Sequence, residues 1–165
     1  IAPADGFSVP YILLAGLSTL FFALWGIFLL EKALRQHFSP TVSMVTTATV
    51  ALATNLFFFS TYTVGMAHPY LFFLFALLIR ATQRWYEQPT ARRSALLGFA
   101  LGMIVMCRVP EVIAVLIPLF WGADSNRFSL WRRHVPLIAL AVSVFMVTLL
   151  PQLFYWNIKN PKSFS

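Results

Sequence analysis

Residues 94–122 read SALLGFALGMIVMCRVPEVIAVLIPLFWG, 29 residues that are apolar apart from the break Arg108-Val109-Pro110-Glu111. One helix of that length would run about 44 Å and strand Arg108 near the middle of a hydrocarbon core roughly 30 Å thick. Insertion scales set the cost of an arginine there at about 2.5–3.5 kcal/mol or more. Two short helices turning at Pro110 avoid that cost and bring Arg108 and Glu111 to the surface. The sequence therefore predicts a hairpin, its short arms eased by flanking residues 90–93 that reach towards the headgroups.

The composition around this stretch agrees. Of 165 residues, 59% are hydrophobic and 10% charged, against about 45–50% and roughly 25% in a soluble domain. No water-soluble fold of this size hides so many Leu, Phe, Val and Ala, which excludes a cytosolic enzyme domain and a disordered tail. Cys107 is the only cysteine, so a disulfide scaffold is excluded as well. The net charge of +7 sits in short clusters between apolar stretches. Topology signals are placed that way and groove-facing stripes are not, so nucleic acid is not an expected partner. Residues 1–8 lack the basic start of a signal peptide, and the chain reads as an internal piece of a longer protein.

Helices are expected at 9–30, 41–59, 69–86, 92–107, 110–122 and 135–156. They would form an all-α, polytopic transmembrane bundle of about six membrane-embedded helices, in a single transmembrane domain covering 1–165. Pro10 falls in a first turn, where a missing N–H costs nothing. The second helix is rich in Thr and Ala, and Gly98-Phe99-Ala100-Leu101-Gly102 is a GxxxG; both features favour close packing within the chain. With the hairpin in place, nine basic residues fall on one side and three on the other. The positive-inside bias then makes the loops 31–40, 80–93 and 123–134 cytoplasmic.

The opposite face collects the polar groups that lie outside the basic loops: Asp5, Asn55, Tyr62, His68, Tyr70, Arg108, Glu111, Gln152, Tyr155 and Asn157. Polar groups gathered at one membrane depth mark a functional site by default, although Tyr62, Tyr155 and Trp156 also fit an ordinary aromatic belt. His68, just before Pro69, is placed to meet a phosphate oxygen or a metal, or to cap a helix. Arg108 and Glu111 fit a local ion pair at the hairpin tip; alternatively, the planar fork of Arg108 faces a phosphate headgroup. No second histidine lies at ligand spacing, so no metal site is read from the residues. Phosphate-loop, dinucleotide and nucleophile-elbow motifs are absent.

Four segments carry a resemblance when taken in order. Asp5-Gly6-Phe7-Ser8-Val9-Pro10-Tyr11 opens the chain, and Asn55-Leu56-Phe57-Phe58-Phe59 leads to Met66-Ala67-His68-Pro69-Tyr70. Gly98-x-x-x-Gly102 leads to Cys107-Arg108-Val109-Pro110, and Pro151-Gln152-x-x-Tyr155-Trp156 closes the series. This order resembles the middle of bacterial polytopic glycosyltransferases of the GT-C type, the protein O-mannosyltransferase-like group. The resemblance implies an enzyme of the bacterial inner membrane that moves a sugar from a polyprenyl-phosphate donor to a lipid, glycan or protein acceptor on the extracytoplasmic side. It also implies an acidic catalytic base in an outer loop upstream of these residues, often with a divalent metal, so no catalytic residue is assigned here. By matching positions, His68 and Arg108 would bind the donor phosphate, and Asn55, Tyr70, Glu111 and Gln152 would line the pocket. Here Val109 separates Arg108 from Pro110 and Ala67 precedes His68, both departures from the family pattern. A flippase or transporter of lipid-linked saccharides and a non-catalytic membrane subunit are the competing readings.

Overall fold

The structure, a computed structural model, describes residues 8–62, 65–121 and 127–159, with the side chains of 127, 128, 156 and 157 left aside. Every regular element among the described residues is helical. Two helices are long and apolar enough to cross a membrane, and a third crossing results if one bent pair counts as a single span. The expected count of about six is not supported, and the reasons are local. The second segment breaks at Thr54, the end of the third turns polar, the fourth stops after 17 residues and the fifth is short.

Ser8 is extended and its carbonyl accepts from the Tyr11 N–H at 2.9 Å, which starts α1 (Val9–Leu34). Glu31 and Arg35 pair at 2.7 Å across its last turn. Ser39 and Pro40 open α2 (Pro40–Ala53), the Ser39 hydroxyl accepting from the Val42 N–H. At Thr54 the backbone turns extended and the axis bends by 57° into α3 (Asn55–Thr61). One hydroxyl accounts for this break: Thr54 Oγ1 donates to the Val50 carbonyl at 2.6 Å and accepts from the Leu56 N–H at 3.3 Å. It closes one helix and caps the next. Helix α4 (His68–Glu87) follows, with Pro69 in its first turn.

Thr90 caps α5 (Ala91–Cys107), and the chain leaves that helix at Arg108, whose backbone is extended. A 3-10 helix, η1 (Val109–Val115), carries Pro110 in its first turn and packs back along α5 before passing into α6 (Leu116–Phe120). Residues 127–133, expected within a loop, form a short helix, α7 (Arg127–Arg133). His134 joins it to α8 (Val135–Lys159), its Nδ1 lying 2.9 Å from the Leu130 carbonyl oxygen.

The chain divides into two compact units at Arg80/Ala81, inside α4. In the first, α1 turns a stripe of small buried residues, Thr19, Ala23, Gly26 and Ala33, towards its neighbours, while Leu13, Leu17, Phe21 and Leu24 remain exposed. Aromatic rings of α4 fill the space the small residues leave: Phe73 lies 5.2 Å from both Phe22 and Trp25, and the Phe72 ring covers Gly26. In the second unit, α5 packs on α8 through Gly98 and Gly102, whose backbones meet Ala141 and Thr148. Here the glycine spacing serves packing within the chain.

Candidate functional site

Contacts fix the direction of the helices within each unit. In the first, Ser18 and Thr19 meet Tyr70, and Trp25 meets Phe73, so the numbers rise together and α1 and α4 run parallel. In the second, the pairings of Gly98 with Ala141 and Gly102 with Thr148 make α5 and α8 parallel too. The chain must therefore return to its starting end between α5 and α8. A reversal at Arg108 achieves that return, whereas an unbroken helix over 94–122 would have left α8 antiparallel.

This register sets depth. Tyr70 lies level with Ser18, so His68, two residues earlier, sits about 11 Å along the axis from Val9. The His68 ring stacks on Phe59 of α3 at 4.4 Å with 23° between planes. It is exposed, while the preceding break at Thr54 places Asn55, also exposed, at the start of α3. Tyr70 plays a different part: its hydroxyl bonds Ser18 Oγ at 2.7 Å and lies 3.2 Å from Thr19 Oγ1, clasping α4 to α1. Phe22, 5.2 Å from the Tyr70 ring, packs beside that clasp.

In the second unit Arg108 stands at the hairpin tip, and one guanidinium nitrogen lies 3.5 Å from Glu111 Oε1. The arginine side chain keeps 48% of its surface exposed, so the pair leaves donors facing outward. Counting on from Gly102 and Thr148, Arg108 comes level with residue 154, which brings Gln152 and Tyr155 to the same end. Lys159 lies over the Tyr155 ring there at 5.4 Å. The opposite end of this unit, where α5, α7 and α8 begin, carries Arg92, Arg93, Arg132 and Arg133.

The six expected site residues thus fall as three in each unit: Asn55, His68 and Tyr70 in the first, and Arg108, Glu111 and Gln152 in the second. Asp5, part of the 60–68 link (Thr63 and Val64), residues 122–126 and the side chains of Trp156 and Asn157 lie outside the description. Among the described residues no three of His, Cys, Asp and Glu converge to hold a metal ion. The resemblance places its divalent metal with the acidic base upstream, outside these residues.

Sequence reasoning missed a cavity of about 320 Å³ in the second unit. Leu97 and Leu101 of α5 and Ala141 and Phe145 of α8 line its depth. One end is closed by a hydrogen-bonded chain: Trp131 Nε1 donates to the Tyr86 hydroxyl at 3.1 Å, which donates to the Pro118 carbonyl at 2.8 Å. Beside it, Trp85 Nε1 donates to Ser94 Oγ at 2.7 Å. The only sequence signal was the placement of these aromatics next to arginines, as in a membrane-interface belt.

Fold and composition define a chain whose described elements are all helical, with helices fit for a bilayer. Set against known proteins, the chain matches no family model, no curated protein and no solved structure.

Proposed function

We propose that this chain is part of a membrane glycosyltransferase that takes a sugar from a polyprenyl-phosphate donor on the extracytoplasmic side. The carrying observation is the hairpin tip, where an outward-facing Arg108 is oriented by Glu111 at the end of two parallel helices. A leaving phosphate needs a fixed donor fork at the membrane surface, and arginine supplies one. Glu111 lies beside the guanidinium at 3.5 Å, and Gln152 at the same end adds an amide for the sugar or phosphate. The family resemblance adds His68, at the start of α4, as a phosphate ligand from the first unit, with Asn55 and Tyr70 as pocket residues on α3 and α4. The arginine-rich connectors 31–40, 80–93 and 123–134 then face the cytoplasm. The ordered motifs that resemble the GT-C group favour this chemistry over other uses of a lipid phosphate. Lipid, glycan or protein would serve as acceptor.

The test is Arg108→Ala in the full-length protein, followed by transfer of radiolabelled sugar from the polyprenyl-phosphate donor. Turnover should fall by about a hundredfold, the typical cost of losing one anion-stabilising donor. Unchanged turnover would remove Arg108 from the mechanism. The break at Thr54 favours a second reading, a flippase of lipid-linked saccharides, because discontinuous helices recur in transporters. Movement of the labelled lipid across vesicles with no sugar transfer would support that reading against the first.

A further inference from the structure

We propose that the cavity of the second unit holds a hydrocarbon chain of an anionic phospholipid, whose phosphate meets the arginines at the start of α5 and at α7. The site is separate from the hairpin tip and does not depend on the sugar-transfer reading. Three observations carry it.

The first is the mouth. Val115 and Leu119 on one rim and Val142 and Met146 on the other are all exposed, so the slot opens sideways between η1–α6 and α8. Helix α8 is apolar enough to cross a membrane, and none of its spanning window is buried. In this proposal the medium at that mouth is lipid. From Ile138 to Met146 the slot follows α8 for about 12 Å, a length suited to an extended chain rather than to a compact polar ligand.

The second is the lining. The polar atoms at the closed end are engaged with one another, Trp131 to Tyr86 and Tyr86 to Pro118, so the cavity offers an occupant apolar surface. A small-molecule site normally keeps a few convergent polar groups to orient its ligand. This one orients by shape alone, which fits a methylene chain.

The third is charge. Trp85, Tyr86 and Trp131 gather at the closed end as interface aromatics do, and exposed Arg92, Arg132 and Arg133 belong to the same end of the unit. Among the described residues, none of these three arginines forms an ion pair with a carboxylate. Basic groups beside a groove between membrane helices recognise anionic headgroups, and each contributes about 1 kcal/mol near the surface.

The experiment uses the full-length protein with W25F, W121F and W156F and with phenylalanine for any tryptophan outside residues 1–165, so that Trp85 and Trp131 alone report. It is reconstituted in phosphatidylcholine vesicles doped with brominated-chain phosphatidylglycerol or with brominated-chain phosphatidylcholine, and tryptophan emission is read. Half-maximal quenching should need at least about fivefold less phosphatidylglycerol, the value of one arginine–headgroup attraction. R92Q/R132Q/R133Q should make the two lipids equal. V142F and L119F, which crowd the mouth from exposed positions on opposite rims, should each weaken quenching by both. Equal quenching by the two lipids in the protein with its arginines intact would overturn the proposal. So would a preference that survives the triple arginine change, or quenching left unmoved by both rim variants.

Discussion

The two units solve one problem with different chemistry. Each holds a parallel helix pair, α1 with α4 and α5 with α8, and each bridges the pair with a broken return, α2–α3 in the first and η1–α6 in the second. The first closes its pair with side chains: rings fill the space over small residues, and Tyr70 ties the two helices through Ser18 and Thr19. The second brings backbone against backbone, since Gly98 faces the Ala141 carbonyl itself. A ring can swing aside and a helix carbonyl cannot. The second seam should therefore be brittle where the first is forgiving.

Alanine at Gly98 is the severest way to probe that contrast. Its Cβ would collide with the Ala141 carbonyl oxygen, and the helices would have to part. Overpacking of this kind costs about 1–3 kcal/mol or more, and the gain in helix propensity returns only about 1 kcal/mol. Gly98→Ala should therefore lower the thermal unfolding midpoint of the protein in detergent. Gly26→Ala should do much less. Its Cβ would come 2.7 Å from Cδ1 of Phe72, a ring that can turn, and 3.0 Å from the Phe73 Cα, which needs a shift of only a few tenths of an ångström, so relaxation and propensity should leave the change within about 1 kcal/mol of neutral. Equal loss at both positions would break the distinction between the seams. Smallest of the three is Tyr70→Phe, which removes the hydroxyl clasp and keeps the ring. Hydrogen bonds between membrane helices average about 0.6 kcal/mol, so a small drop in midpoint is expected. A drop as large as that of Gly98→Ala would show that the clasp, not the aromatic filling, holds the first pair.

Local chemistry explains what was legible beforehand. Pro10 marks a first turn, and the charge at Arg108 with Pro110 beside it forces the chain to reverse, whereas the caps at Ser39 and Thr90 and the first-turn Pro40 emerge only in the structure. Gly98 and Gly102 announced a close seam, though not which helix would meet it. Thr54 was not legible as a break. It stands in a stretch with Thr46, Thr47 and Thr49, and its hydroxyl differs from theirs in also accepting a hydrogen bond from the N–H of the next helix. Helix α7 was hidden by its polarity: its arginines read as a loop, and Trp131 finds its partner Tyr86 45 residues earlier. The candidate site was legible as a list of polar residues at helix ends. Their division between two units, and the use of Tyr70 as a clasp, arise from contacts across tens of residues that no local pattern encodes.

The parallel run of α5 and α8 also has a consequence for biogenesis. Gly98 awaits a partner some forty residues downstream, and the reversal at Arg108 must be completed before the two can meet. Until then the bare glycine furrow faces whatever lies beside the nascent chain, so the seam most sensitive to an added methyl is also the last in its unit to be sealed.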